Sequence, residues 1–185
     1  TISLDVAESL YIHIPYCASK CTYCDFFSVP CASAAVPDEY VSALCSEIRI
    51  RAQAKGITDW KSVYIGGGTP SLLTGSQIQK IMDCVRNCTD GKDLHSAEVT
   101  MEVNPDDVNT RLLASMNRAG INRLSCGIQA IDSCPLKEVE RRSSVSRVRA
   151  ALSLIQHEWK GVFSADMISA LPGQTEQSFL AGLSE

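Results

Sequence analysis

The sequence contains no apolar run that approaches the roughly 18 residues needed to cross a bilayer. It also lacks an excess of basic charge: 17 Lys and Arg stand against 21 Asp and Glu, for a net charge of −4. This balance gives no general attraction to nucleic acid or to an anionic membrane. The apolar segment Leu10–Ile14 is too short to be the core of a signal peptide. We therefore expect a cytoplasmic protein with no membrane span and no nucleic-acid partner.

Cysteine is too scarce for a disulfide scaffold, because nine cysteines in 185 residues are odd in number and fall below the roughly 8–10% typical of such proteins. Three of the nine nevertheless lie within eight residues of each other: Cys17, Cys21 and Cys24. Clustered thiols in a cytosolic protein more often bind a metal or do chemistry. We interpret the scattered cysteines as small buried hydrophobes. For Cys84 and Cys88, four residues apart, a metal site is the alternative.

A strand-like apolar run followed by a loop and an amphipathic helix occurs five times. The predicted strands are Leu10–Ile14, Ser62–Ile65, Glu98–Val103, Arg123–Cys126 and Val162–Ile168. Alternating strands and helices imply a parallel sheet with right-handed crossovers. We predict an α/β fold, a partial parallel (β/α) barrel of about five units, with a doubly wound sheet as the alternative.

Five parallel strands do not close a barrel, and an open parallel sheet leaves an exposed edge. We therefore expect residues 1–185 to form one core domain that is truncated, the N-terminal part of a longer protein whose C-terminal domain is absent.

Local signals predict several helix ends. A cation followed by glycine predicts helix C-termini at Lys55-Gly56, Arg118-Ala119-Gly120 and Lys160-Gly161. Ser76-x-x-Gln79 is predicted as a capping box, and Asn104-Pro105-Asp106-Asp107 as a helix start.

The chemically distinctive residues follow the predicted strands. The cysteine loop comes after the first strand, Gly66-Gly67-Gly68-Thr69-Pro70 after the second and Gln129 after the fourth, while Glu102 ends the third and Asp166 lies in the fifth. In both architectures the functional site lies at the carboxyl ends of parallel strands. We expect these side chains to meet at one edge of the sheet.

The number of clustered thiols, three and not four, bears on which metal group they would bind. Thiolates are soft ligands that favour zinc, copper(I) or iron–sulfur clusters. A structural zinc site closes with four ligands, and Cys31 is an irregularly spaced candidate for the fourth. A four-iron cluster held by three cysteines leaves one iron free to bind a small molecule. The spacing favours the cluster, and a zinc-stabilised structural module is the alternative.

The pattern Cys17-x3-Cys21-x2-Cys24 resembles the signature of the radical SAM superfamily. The aromatic Tyr23 beside the last cysteine and the glycine-rich second loop strengthen the resemblance. It implies a [4Fe–4S] cluster after the first strand of a partial (β/α)6 barrel. The unique iron of that cluster would chelate S-adenosyl-L-methionine, and an electron from the cluster would release a 5′-deoxyadenosyl radical.

Five longer blocks are similar to the HemN/HemW family, which holds an oxygen-independent coproporphyrinogen III dehydrogenase and a haem chaperone. They are Tyr11-Ile-His-Ile-Pro-Tyr-Cys, Tyr64-Ile-Gly-Gly-Gly-Thr-Pro-Ser-Leu-Leu, Met101-Glu-Val-Asn-Pro, Asn122-Arg-Leu-Ser-Cys-Gly-Ile-Gln and Asp166-Met-Ile-Ser-Ala-Leu-Pro-Gly-Gln-Thr. The resemblance spans nearly the whole chain, from about Leu10 to about Thr175.

The family resemblance assigns S-adenosylmethionine contacts to eight residues: Tyr11, Gly67, Gly68, Thr69, Glu102, Gln129, Arg141 and Asp166. It places the methionine part of the cofactor at the glycine loop and the ribose hydroxyls at Glu102. Arg141 is suited to a carboxylate because its guanidinium is permanently charged and can donate two parallel hydrogen bonds. A tight turn for the glycine loop and a solvated basic face for Arg141 are the alternatives.

Two positions depart from the family pattern. Phe26 stands where the dehydrogenase branch typically has a further cysteine, which favours the chaperone branch. The chaperone branch usually carries Gly-Arg-x-His after the fourth strand, whereas this chain has Glu140-Arg141-Arg142-Ser143. The arginine is kept, and the glycine and histidine are absent.

The resemblance implies a role in haem and porphyrin metabolism. The leading hypothesis is a haem chaperone that passes haem to a haem-requiring acceptor protein, with haem bound by the C-terminal part that this chain lacks. The alternative is a dehydrogenase whose adenosyl radical starts the oxidative decarboxylation of two propionates of coproporphyrinogen III.

Overall fold

The computed structural model describes residues 7–31, 35–89 and 94–185. Seven strands are present in this part of the chain: β1 (Ala7–Ile14), β2 (Tyr16–Cys17), β3 (Val29–Pro30), β4 (Asp59–Gly67), β5 (Glu98–Val103), β6 (Arg123–Gln129) and β7 (Val162–Met167). The α-helices are α1 (Asp38–Lys55), α2 (Gly75–Arg86), α3 (Thr110–Arg118), α4 (Ser133–Glu138), α5 (Val145–Glu158) and α6 (Glu176–Leu183). Single 3-10 turns cover Pro70–Leu72 and Leu94–Ser96.

Five of the strands form one parallel sheet in the order β1-β4-β5-β6-β7. The short strands β2 and β3 pair with each other, also in parallel. The order follows the chain without reversing, whereas a doubly wound sheet reverses at its switch point. The predicted α/β partial barrel of five parallel strands is therefore confirmed, and the doubly wound alternative is not observed.

The two faces of the sheet differ in chemistry because side chains alternate along each strand. One face carries fully buried apolar residues that pack in the main core, among them Ile14, Val63, Ile65, Met101 and Leu124. The intervening positions carry polar or chemically active side chains, among them Tyr11, Tyr64, Glu102, Ser125 and Asp166. These two sets define an apolar helix-covered face and a polar face.

The amphipathic helices expected after the strands bury apolar residues at helical spacing. Ile78, Ile81 and Val85 are fully buried on α2, and Val148 and Ile155 are buried on α5. No helix among the described residues is long and apolar enough to span a membrane.

Helix C-termini were predicted better than N-termini. Helix α1 ends at Lys55 with Gly56 left-handed (φ +63°), and Gly120 follows α3 with φ +80°, as predicted. The prediction at Lys160-Gly161 is wrong, because α5 ends at Glu158 and Trp159 is already extended.

Both predicted helix starts are also wrong, because other side chains satisfy the first N–H groups. The capping box of α2 is formed by Thr74 and Gln77, two residues before the predicted one. Helix α3 begins after Asn109, whose side chain accepts a 2.9 Å hydrogen bond from the Leu112 N–H group. The Asn104–Asp107 segment is instead a loop that carries polar contacts.

Among the described strands β7 pairs only with β6 and forms one edge of the five-stranded sheet. Apolar side chains are exposed along this edge and on the neighbouring helix α6. Val162 is 62% exposed and Phe163 40%, while Leu180 is 52% and Leu183 57% exposed. We call these four residues the β7 edge patch.

Candidate functional site

The segments at the carboxyl ends of the strands line one cavity of about 400 Å³, a size typical of small-molecule sites. It collects ten of the eleven residues that the sequence singled out: Cys17, Cys21, Cys24, Gly67, Gly68, Thr69, Glu102, Gln129, Arg141 and Asp166. Tyr11 is the exception, since it lies on the polar face beside Tyr64 and outside the cavity lining.

The cysteine loop runs from β2 to β3 and holds its thiols at the cavity. Cys17 and Cys21 are buried, Cys24 is half-buried, and all three are free thiols. The Cys24 N–H group donates to the Cys21 carbonyl at 3.1 Å, which closes a tight turn, and the Cys31 N–H group donates to the Cys17 carbonyl at 2.8 Å. The loop thus presents three thiols from one backbone segment.

Among the residues that the structure describes, no three His, Cys, Asp or Glu side chains are close enough to bind one metal ion. Thiols that each bind a different iron of a cluster do not need to converge in this way, whereas ligands of one zinc ion do.

The glycine loop at the end of β4 packs directly against the cysteine loop. The Gly68 N–H group donates to the Ile14 carbonyl at 2.8 Å. A Cβ at Gly68 would stand 2.8 Å from the Tyr16 carbonyl oxygen and 2.9 Å from Cys17 Sγ. The Thr69 hydroxyl donates to Cys17 Sγ at 3.4 Å. Glycine is required here because any side chain would push the two loops apart.

Glu102, at the end of β5, accepts two hydrogen bonds. The Tyr64 hydroxyl donates at 2.7 Å and the Gly67 N–H group at 3.1 Å. Burial raises the pKa of Glu102 above its ordinary value, and the two hydrogen bonds partly oppose this rise. Burial also raises the pKa of Tyr64, and the Glu102 carboxylate adds to the effect. Tyr64 is therefore a neutral donor that holds the carboxylate in place.

Asp166, from β7, and Gln129, at the end of β6, also line the cavity. The Ser125 hydroxyl donates to both carboxylate oxygens of Asp166, at 3.1 and 3.0 Å. Gln129 has φ +68°, a left-handed conformation that is uncommon for a residue with a side chain. Such strain concentrates at functional sites.

Sequence reasoning missed Tyr64 and Ser125. Tyr64 lies two residues before Gly66, and Ser125 lies two residues before Gly127; both glycines occupy polar-face positions. The alternation of side chains along a strand places both on that same face. This alternation is the signal that could have identified them.

Arg141 reaches from the loop after α4 to the cysteine loop. One of its terminal nitrogens lies 3.6 Å from Cys21 Sγ and 3.4 Å from the Tyr23 hydroxyl, and the other donates to the Gly127 carbonyl. Its Nε is buried without a hydrogen-bond partner. Burial raises the pKa of Tyr23 to about 12, although Arg141 acts to lower it. A buried, unpaired N–H group of this kind fits a site for an anionic ligand group.

Tyr11 belongs to a hydrogen-bonded chain beside the cavity. His13 Nε2 donates to the Phe27 carbonyl at 2.9 Å, and its Nδ1 accepts from the Tyr11 hydroxyl at 2.9 Å. Both ring nitrogens are used, so His13 orients the loop and the Tyr11 ring. Tyr11 also stacks on Tyr64, with ring centroids 6.2 Å apart.

The residues present fit an iron–sulfur cluster and an anionic, hydroxyl-bearing ligand. Three soft thiols lie beside a cavity that offers an unpaired guanidinium nitrogen, two carboxylates and a glycine strand end that a Cβ would fill. When bound, a four-iron cluster supplies one-electron chemistry and an open iron position. This chain would contribute the thiols, the charge of Arg141 and the hydroxyl acceptors Glu102 and Asp166.

A parallel half-barrel with three thiols on the loop after its first strand defines the class: an α/β protein built around a cluster-binding loop. The chain belongs to the radical SAM superfamily, whose family model matches residues 11–183. Superfamily membership implies a [4Fe–4S] cluster and S-adenosylmethionine as cofactors.

Within the superfamily the similarities are to the HemN/HemW family. The chain is 37% identical over 176 residues to the haem chaperone HemW of Escherichia coli, a match that covers 95% of this chain and 46% of the relative. It is 37% identical to HemW of Bacillus subtilis, over 91% of this chain and 44% of the relative. The chain thus spans about half the length of these curated relatives.

A solved structure shows the same family relationship. Coproporphyrinogen III oxidase (HemN) of Escherichia coli, described as a radical SAM enzyme, superposes with a TM-score of 0.84 at 30% identity. The match covers 96% of this chain and 41% of that protein.

Proposed function

We propose that this chain is the cluster- and S-adenosylmethionine-binding core of a HemW-like haem chaperone. The observation that carries the proposal is the single cavity that joins three free thiols to the glycine loop, Glu102, Arg141 and Asp166. The similarity to two bacterial proteins named haem chaperone HemW supports the chaperone branch. Phe26, in the position of the dehydrogenase cysteine, supports the same branch.

In this proposal each predicted residue has a role. Cys17, Cys21 and Cys24 bind three irons of the cluster, and the fourth iron is open to the cofactor. Gly67, Gly68 and Thr69 accommodate the methionine part, and Arg141 pairs with its carboxylate. Glu102 accepts the ribose hydroxyls, and Asp166 and Gln129 add further hydrogen bonds. Tyr11 lies beside Tyr64 on the polar face and supports the cofactor site from outside the cavity lining.

Cluster binding is tested by replacing Cys17, Cys21 or Cys24 with Ala in protein made without oxygen. We expect the brown absorbance and the bound iron and sulfide to be lost, because each thiol binds a different iron. Cys134→Ala is the matched control, since Cys134 is exposed and outside the cavity lining. Wild-type protein that contains zinc in place of iron and sulfide would contradict the proposal.

Cofactor binding is tested by adding S-adenosylmethionine to the cluster-loaded protein. Binding at the open iron should change the electron paramagnetic resonance spectrum of the reduced cluster. An unchanged spectrum at saturating cofactor would contradict the assignment of the cavity.

The haem step belongs to the full-length protein. We propose that its C-terminal part binds haem and passes it to a haem-requiring acceptor in the cytoplasm. Titration of the full-length protein with haem should give a distinct absorption band, and its absence would refute the chaperone role. The alternative, a dehydrogenase, is supported by the similarity to HemN; anaerobic conversion of coproporphyrinogen III to protoporphyrinogen IX would favour it.

A further inference from the structure

Three loops around the cavity are joined by a hydrogen-bonded cluster, here called the loop clasp: Ser71, Asp106, Asp107, Arg142 and Ser143. Ser71 follows the glycine loop after β4, the two aspartates follow β5, and Arg142 and Ser143 lie in the segment after β6 and α4. The clasp therefore connects the segments that follow three neighbouring strands.

The two aspartates lie at the centre of the clasp. Asp107 accepts from the Ser71 hydroxyl at 2.7 Å and from an Arg142 terminal nitrogen at 2.6 Å. Asp106 accepts from Arg142 Nε at 3.0 Å and from the Ser143 hydroxyl at 2.6 Å. One guanidinium thus bridges two adjacent carboxylates.

The clasp differs from an ordinary surface ion pair in its burial. The side chains of Asp106 and Asp107 are only 17% and 14% exposed, and that of Arg142 is 32% exposed. Removing the cation would leave two neighbouring, largely buried carboxylates without their shared partner, which is costly. Exposed ion pairs, by contrast, contribute little. The Arg149–Glu185 pair is of this second type, with side chains 56% and 37% exposed.

The position of the clasp links it to the cofactor site. Arg142 directly follows Arg141, whose side chain extends to Cys21 and whose Nε is buried and unpaired. At its other end Ser71 lies two residues after Thr69, which donates to Cys17. Fixing Arg142 fixes the backbone from which the Arg141 side chain projects.

One residue of the clasp lies at a position where this loop departs from the family pattern. The family motif Gly-Arg-x-His is replaced by Glu140-Arg141-Arg142-Ser143, so Ser143 occupies an altered position, whereas Arg142 stands at the variable position x. Where the family has histidine, Ser143 donates to Asp106 and also to the Asn104 side-chain oxygen at 3.1 Å.

We propose that Arg142, held between Asp106 and Asp107, is a positioning residue that sets the guanidinium of Arg141 for the carboxylate of S-adenosylmethionine. The proposal rests on the proposed function, because it concerns the same cofactor site. Arg142 also lines the cavity, but in this proposal it acts through its neighbour and through the loop backbone, while the cofactor carboxylate contacts Arg141.

The test measures S-adenosylmethionine affinity by anaerobic equilibrium dialysis of the cluster-loaded, full-length protein without a reductant. We expect Arg142→Ala to weaken binding about tenfold, in the range of coupling between neighbouring groups of one network, with iron and sulfide content unchanged. Arg142→Lys should restore part of the loss, because it keeps the charge but not the two-carboxylate geometry. Arg149→Ala is the matched control and should bind like wild type.

A double-mutant cycle separates positioning from general loosening of the fold. If Arg142 acts through Arg141, Arg142→Ala should cost no further affinity in an Arg141→Gln background. An equal loss in both backgrounds, or normal binding by Arg142→Ala, would overturn the inference. Asp107→Asn, which keeps an acceptor for Ser71, replaces Arg142→Ala if that variant does not fold. If the cluster-loaded wild-type protein binds no S-adenosylmethionine, the proposed function itself is contradicted. That result is distinct from a failure of the positioning role of Arg142.

Discussion

Gly67 lies at the point where the sheet, the glycine loop and the cysteine loop meet. Its backbone has φ +118°, and a Cβ there would stand 2.7 Å from the His13 ring. We predict that Gly67→Ala lowers the free energy of unfolding by about 1–3 kcal/mol, because both backbone strain and a ring displacement are imposed. Urea unfolding of the two proteins measures the difference.

Gly56→Ala is the control for backbone strain alone. Gly56 has φ +63°, and a Cβ there would meet no atom within 4 Å. A loss of about 1 kcal/mol is expected at this position. If Gly67→Ala costs no more than Gly56→Ala, the contact with His13 contributes nothing.

The residues that the sequence could identify are those whose type is unusual at a strand end. Clustered cysteines, consecutive glycines and the carboxylate Glu102 qualify, and the structure brings them together in one cavity. Tyr64 and Ser125 look like ordinary strand residues. Side-chain alternation places them on the polar face, and their hydrogen bonds to Glu102 and Asp166 show their role. Such partnerships depend on strand register, which the sequence does not specify directly.

At the scale of elements, the loop after α4 contains a strained residue. Glu140 is exposed and has φ +53°, where the family pattern has glycine. We predict that Glu140→Gly raises the free energy of unfolding by about 0.5–1 kcal/mol, because glycine removes the left-handed penalty of 1–2 kcal/mol at some entropic cost. Chemical denaturation measures the gain.

Lys137→Gly provides the comparison for this loop. Lys137 is also exposed but lies inside α4, where glycine should cost about 1 kcal/mol. Opposite signs for the two glycine substitutions are expected. A loss of stability in both would show that Glu140 makes a favourable contribution that outweighs its backbone strain.

Long periodic elements were predictable and short ones were not. Helices α1, α2 and α5 repeat their apolar positions over several turns, so their spacing identifies them. Helix α4 has six residues and includes Pro135, which leaves too few positions for a period. The β2–β3 pair joins residues 13 positions apart (Tyr16 with Val29 and Cys17 with Pro30) through two-residue strands, and this pairing leaves no local pattern. Helix starts shifted because nearby polar residues competed for the first N–H groups.

The molecule as a whole is an open half-barrel with one apolar edge. The β7 edge patch exposes large aliphatic and aromatic side chains beside β7, which pairs only with β6 among the strands that the structure describes; this combination favours association between chains. We predict that the 185-residue chain self-associates as its concentration rises, and that Val162→Lys reduces this association. Light scattering across a concentration series measures the apparent mass.

Ile50→Lys tests whether this effect is specific to the edge. Ile50 is 66% exposed on α1 and lies apart from the β7 edge patch. The Ile50→Lys variant adds the same charge to a helix surface instead of a strand edge. Equal reduction by both lysine variants would mean that net charge, and not the strand edge, controls association.

The alternation of side chains along the strands decides which residues face the cavity and which face the helices. One residue inserted within β5 before Glu102 would turn that carboxylate toward the helices and bring Met101 to the cavity. A one-residue insertion in β7 before Asp166 would likewise turn the Asp166 carboxylate away from the cavity. Insertions and deletions are therefore compatible with cofactor binding only in the connections between strands. Loops there can change length during evolution without exchanging the apolar helix-covered face and the polar face of the sheet.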